Sequence, residues 1–202
     1  MKAMKLFSVA CCMAAMCLTS CLSDNDSDYK ALTPAEVNLC LNAVRGAHTG
    51  KVIYAAPTVK DVNNTDSLDI TWSITTDSTM TIHDFPAKLL TQNIDSINGK
   101  ELREAIANLG EVDIDCRIGF TNLTPVQWLI NPKAVTLDFK DKSGDHKVAV
   151  AFYANINYSS GYFNSTKGEM AMEIIEGLIY MDGKSTSYLK KDTPFLFVRN
   201  KK

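Results

Sequence analysis

Glu111-Val112-Asp113-Ile114-Asp115-Cys116-Arg117-Ile118-Gly119-Phe120 is the stretch on which the fold turns. Val112, Ile114, Cys116, Ile118 and Phe120 alternate with Glu111, Asp113, Asp115 and Arg117, and a period of two makes one face of a strand apolar and the other charged. Leu68, Ile70, Trp72 and Ile74 alternate with Asp69, Thr71, Ser73 and Thr75 in the same way. A strand buried on one side needs a second apolar surface to cover it. The expectation is therefore a mainly β protein (β-rich α+β), an antiparallel sheet closed as a barrel or sandwich. Further strands are expected at 51–59, 79–83, 134–140, 146–158 and 195–199, with Lys142-Ser143-Gly144-Asp145 as a hairpin connection. Residues 169–181 fit both periods; Gly177 and the Asp182-Gly183 turn favour a strand.

Two helical pieces complete the pattern. Thr33-Pro34-Ala35-Glu36 reads as a capped start: Thr33 accepts from an early amide, Pro34 sits where its missing N–H costs nothing, and Glu36 completes a capping box. Val37, Leu41 and Val44 then share a face, with Cys40 between them, and Gly46 ends the helix. Between the early and late strands an insert is expected, a short turn opened by Pro86 and then a helix capped by Asn98 and Glu101, running through Leu102, Ile106 and Leu109 to Gly110.

The first residues speak to compartment. Lys2 and Lys5 precede an uncharged apolar run over 6–18, shorter than the roughly 20 helical residues that a bilayer core requires, as in a signal peptide. Leu18-Thr19-Ser20-Cys21 resembles the bacterial lipobox, which implies lipidation of Cys21 and removal of residues 1–20. Diacyl or triacyl attachment suffices for stable anchoring. Residues 21–30, rich in Asp and Ser, read as an acidic tether, and 31–202 as a single β-rich domain. Loss of Lys2 and Lys5 leaves about 19 basic against 23 acidic residues, without a basic run that would track a phosphate backbone, so nucleic acid is not an expected partner. Three of the six cysteines, Cys11, Cys12 and Cys17, leave with the signal. Cys40 and Cys116 remain beside the anchor, both expected to point into the core, an arrangement that permits but does not require a disulfide.

The lipobox, the helix leading into Gly46-Ala47-His48-Thr49-Gly50-Lys51-Val52, and Asp84-Phe85-Pro86 followed by Leu89 and Leu90 resemble a family of Bacteroidetes lipoproteins of unknown function. The Gly-x-x-x-Gly-Lys opening of the first strand is also similar to calycin-like domains, although His48 stands where those often carry an aromatic ring. Ser23 to Asp28 resembles the acidic export tag that sends such lipoproteins to the outer face of the outer membrane. The resemblance implies an outer-membrane lipid anchor with surface exposure; it implies no reaction. Asp66-Ser67-Leu68, Asp77-Ser78-Thr79 and Asp95-Ser96-Ile97 resemble the O-glycosylation acceptor of these bacteria, which makes Ser67, Ser78 and Ser96 candidate modification sites.

The chemistry is sparse. His48, His83 and His146 are far apart and lack a metal-ligand partner at i+2 to i+4, so each reads as a surface or turn residue, and neither metal nor cofactor is expected. There is no Gly-x-Ser-x-Gly elbow, P-loop, dinucleotide fingerprint or Cys-x-x-Cys. Asp113 and Asp115 share the wet face of a strand about 7 Å apart, which admits glycoside chemistry by spacing but is also how any half-exposed strand looks. Trp72 falls on the apolar side of its alternation and belongs to the core. Trp128, between Thr124-Pro125-Val126-Gln127 and Asn131-Pro132, and Tyr158, Tyr162 and Phe163, around Ser159-Ser160-Gly161, fall in segments expected to be loops. Trp128, Tyr162 and Phe163 are therefore candidate ligand-binding rings. The expected function is a non-catalytic binding module for a small ligand, glycan or envelope partner. A structural or assembly component of the envelope is the alternative, and a hydrolase the third. A roomy apolar interior favours the first, a filled one the second, and a polar cleft with converging acids the third.

Overall fold

The computed structural model describes residues 31–56, 64–154 and 158–200. The expected signal peptide, Cys21, the expected tether and residues 57–59 of an expected strand lie outside them. Helix α1 spans Pro34–Val44 and helix α2 Lys100–Ala107. The strands are β1 Gly46–Ala55, β2 Thr65–Thr76, β3 Thr79–Pro86, β4 Glu111–Leu123, β5 Val126–Pro132, β6 Val135–Asp141, β7 Gly144–Phe152, β8 Ser160–Asn164, β9 Glu169–Met181, β10 Lys184–Ser185 and β11 Thr193–Arg199. Every pairing is antiparallel. The order β11-β1-β2-β3-β4-β5-β8-β9 returns on itself because β9 also pairs with β11, giving a closed eight-stranded barrel. Barrel and sandwich were both open from the sequence, and closure decides for the barrel. The far end of β9 runs past the wall, where Phe152 pairs with Glu176 and Val148 with Met181, so β7 and then β6 extend from it as a flap.

The inward positions follow from the registers. Val52 lies opposite Phe197, Phe197 opposite Met172, Met172 opposite Gly161, Gly161 opposite Trp128, and Trp128 opposite Phe120. Trp72, Ile82 and Ile114 continue across β2, β3 and β4. The two alternations that announced the sheet therefore point inward as expected. Register shifts at Ile74/Thr76, Ile82/Phe85 and Phe120/Asn122 add the local twist that helps a sheet close. Trp72, Trp128, Phe85, Phe195 and Phe197 are all fully buried, and they fill the interior with side chains.

Two expectations fail at this level. Trp128 and Phe163 are not on loops: Trp128 is the third residue of β5 and fully buried, and Phe163 lies on β8 with only a sliver of surface. The reason is Gly161. A Cβ there would meet the Trp128 indole at 2.1 Å, so this glycine, which reads as a turn residue in the sequence, is the gap that lets the ring lie inside the wall. Gly50 does the same for Trp72, at 2.9 Å. The second failure is the cap of α2. Asn98 donates its side-chain amide to Asp95 Oδ2 (3.0 Å), while Asp95 Oδ1 takes the backbone amides of Ile97 and Asn98 (2.8 and 3.1 Å), so the acid organises a turn and Gly99 starts the helix.

The barrel ends are covered differently. At the end where β1 begins and β4 finishes lies α1, with Cys40 and Val44 buried and Cys40 Sγ 3.6 Å from the carbonyl of Asn122. Its capping box is formed as expected, with the Thr33 amide donating to Glu36 Oε2 (2.7 Å) and the Glu36 amide to Thr33 Oγ1 (3.3 Å). At the other end, where β3 finishes and β8 and β11 begin, a 3₁₀ turn over Ala87–Thr91 and α2 bury Leu89, Leu90, Ile94, Leu102 and Ile106. Both remaining thiols point into the core as expected and are free. Desolvation pushes the Cys116 thiol up to about 12, so it is inert.

Candidate functional site

Large buried side chains occupy the barrel interior, and the exposed rings lie outside it. Tyr162, the third expected ligand ring, is half-buried on β8, its hydroxyl 3.5 Å from Glu169 on β9. Phe163 carries the Arg199 guanidinium over its face at 5.1 Å, so its ring serves as a seat for a cation of the same chain. Of the aromatics around Ser159-Ser160-Gly161, Tyr158 is the exposed one, at 61%.

Tyr158 does not stand alone. The Tyr153 ring centroid lies 6.4 Å away at an interplanar angle of 53°. Three contacts fix Tyr153. Its ring lies on Gly177, where a Cβ would approach to 2.8 Å. Its amide donates to the carbonyl of Ile175 (2.8 Å), and its hydroxyl donates to the exposed carboxylate of Asp192, 3.3 and 3.2 Å from the two oxygens. Burial raises the Tyr153 pKa and the neighbouring Asp192 adds to it, so the phenol stays a neutral donor. Ser159 is fully buried and ties the two tyrosines together: its hydroxyl donates to the Tyr153 carbonyl (2.7 Å) and its own carbonyl accepts from the Ile130 amide (2.8 Å). The pair lies at the barrel end away from α1. Tyr153 was missed in the sequence because 146–158 reads as one strand; β7 stops at Phe152 instead, and residues 155–157 lie outside the described chain.

Two open grooves lie elsewhere. One of about 690 Å³ is lined by Leu68, Ile70 and Pro86 with Asp69, His83 and Lys88; the other, of about 570 Å³, runs over β6, β7 and β9. In the first, Asp69 is paired with Lys51 (2.7 Å) and His83 with Ser73 (2.8 Å), so their polar groups already have partners. Asp113 and Asp115 are engaged as well. Asp115 binds Lys133 and Thr81, each at 3.1 Å, which holds its carboxyl below the usual range, and Asp113 accepts the Asp84 amide at 3.0 Å. A glycosidase pair needs one acid kept protonated, and a lysine-bound carboxylate is the reverse.

One triad-like arrangement exists. Ser143 Oγ is 2.8 Å from His146 Nε2, and His146 Nδ1 is 2.7 Å from Asp182 Oδ2. Asp141 undoes the likeness. It takes the Ser143 hydroxyl proton at 2.5 Å and the Ser143 amide at 2.7 Å, and lies 3.3 Å from His146 Nε2. An imidazole between two carboxylates is raised in pKa, first by the Asp182 hydrogen bond, and with the Ser143 hydroxyl already bonded to Asp141 the serine is not held for the imidazole alone as a triad requires. Among the described residues no group of three or more His, Cys, Asp or Glu is arranged to hold a metal ion. Ser67, Ser78 and Ser96 are all exposed, the last in the turn that Asp95 organises.

A family profile matches residues 43–181, from the end of α1 through β9. The chain belongs to DUF4840, a domain of unknown function. No curated protein and no solved structure matches. The DUF4840 match takes in Tyr153, Tyr158 and Gly177 and stops short of Asp192 and of β11, the strand that closes the barrel.

Proposed function

We propose that this DUF4840 protein is a non-catalytic, lipid-anchored binding module of the outer membrane, fixed through Cys21 and engaging its partner with the outside of the barrel. The lipobox and acidic tether support the anchor and its export to the surface, and the opening-strand resemblance to calycin-like domains accords with an eight-stranded antiparallel barrel. The observation that carries the binding reading is the exposed Tyr158 ring set beside Tyr153 at the end away from α1. Trp128 and Phe163 leave this reading as ligand contacts, because both rings are buried, whereas Tyr162 is half-exposed on the outer face of β8 with its hydroxyl toward Glu169.

The filled interior also favours the second reading, a structural component of the envelope with no ligand. Two measurements test the proposal. Cells fed a fatty-acid analogue label the wild type and not Cys21→Ala; equal labelling removes the anchor. A photo-crosslinking residue in place of Tyr158 captures a discrete envelope component that the same residue at exposed Ile97 does not. Identical patterns from the two positions leave the structural reading in place.

A further inference from the structure

The ligand class is legible in the chemistry of the tyrosine pair. Resting on the binding reading above, we propose that Tyr153, Tyr158 and Asp192 form a platform for an uncharged glycan. The negative face of an aromatic ring attracts the polarised C–H groups of a pyranose, and Tyr158 offers such a face to solvent. Asp192 sits at the rim with both oxygens close to the Tyr153 hydroxyl, and a carboxylate has acceptor sites for two adjacent sugar hydroxyls beyond that one bond. An anionic group would have to sit directly against this carboxylate, whereas a neutral sugar supplies hydroxyl donors to it; Lys191 adjoins Asp192 in the chain, and charged polymers test the choice.

The site is also built to keep its shape. Rings 6.4 Å apart are too close to admit a sugar between them, so the pyranose stacks on the outer face of Tyr158 and turns its hydroxyl edge toward Asp192. Weak sugar affinity is easily lost to the entropy of ordering a floppy site. Here the buried Ser159, next to Tyr158, bonds the Tyr153 carbonyl and the Ile130 amide, and Gly177 lets Tyr153 lie on β9. A protein partner, in contrast, needs a larger buried apolar centre than two tyrosines supply.

The test uses the full chain purified in detergent, with neutral malto-, cello-, xylo- and manno-oligosaccharides as probes and heparin and polygalacturonate as charged ones, measured by calorimetry. At least one neutral series binds, Tyr158→Ala and Asp192→Asn each weaken it tenfold or more, and both variants keep the wild-type melting temperature. Binding to none of the neutral series, preference for the charged polymers, or neutral binding that survives Tyr158→Ala overturns the assignment. Crosslinking of a protein at position 158 without any glycan binding overturns the ligand class alone and leaves the surface as the contact site.

Discussion

At residue 176 a glutamate faces the inside of a wall otherwise made of Met170, Met172 and Ile174, fully buried. Neither carboxyl oxygen sits in hydrogen-bonding geometry with a partner among the described residues, although the Thr193 hydroxyl is near enough to offset part of the burial. Desolvation wins and pushes the pKa up to about 8 from an ordinary 4.5. The folded chain thus holds a proton that the unfolded chain releases near pH 4.5. Stability is full below that, falls as pH rises toward 8 and is level above, a loss of a few kcal/mol across the window. Half-buried Glu173, pushed up to about 6, adds a decline of the same sign. Melting temperature should therefore drop between pH 5 and pH 8.5, and Glu176→Gln should remove most of the drop. A Gln variant whose melting point falls as steeply as the wild type would assign the decline to other groups. Nothing in the sequence marks this acid, because Glu176 is one more polar residue in a segment whose period is ambiguous.

Elements join where their turns meet, and the β6–β7 hairpin meets the β9–β10 turn through His146. Its imidazole touches Asp141 of one turn and Asp182 of the other, and Asp182 also accepts the Lys147 amide at 2.9 Å. Both carboxyls are lowered, Asp182 first by its hydrogen bond to the imidazole and Asp141 first by Ser143, whereas His146 is raised. The raised imidazole contributes fully below its unfolded value near 6.5, and that contribution fades as pH climbs through the higher folded value. The lowered acids contribute above their ordinary 3.8, fading as pH falls. Amide exchange in the β6–β7 hairpin should be slowest at mildly acidic pH and, after correction for intrinsic rates, quicken on the alkaline side, with His146→Gln abolishing the dependence. A hairpin equally protected at pH 6 and pH 9 would mean the contact holds nothing together. At the other end of the chain, Thr33→Ala should cost about 1 kcal/mol by removing a capping box. That box was legible because its residues act within three positions of one another. The start of α2 was not, since Asp95 takes the amides that Asn98 was expected to organise. Strands β5 and β8 escaped for a related reason: Pro, Asn and Gly mark turns in a sequence, yet Pro132 ends a strand and Gly161 accommodates an indole across the wall.

For the whole molecule the sequence carried the class of fold and left its closure open. Alternation declares which residues face inward, but only the pairing of β9 with β11, 17 to 27 residues apart along the chain at their paired positions, distinguishes a barrel from two stacked sheets. The same long-range fact relocated the site, because a ring's neighbours across the sheet determine whether it packs or binds. A pair of substitutions makes that division measurable. Trp128 is fully buried in contact with Phe120 and Gly161, so Trp128→Ala should cost about 3–5 kcal/mol, which in a domain of this size is roughly 10 °C of melting temperature. Tyr158 is mostly exposed, so Tyr158→Ala should shift the midpoint by about a degree or less. If the barrel is a rigid support and the tyrosine end its working surface, any ligand captured by the wild type is retained by whatever fraction of Trp128→Ala stays folded and is lost from Tyr158→Ala. Comparable destabilisation by both substitutions would place Tyr158 in the packing of the barrel end and remove the working surface with it.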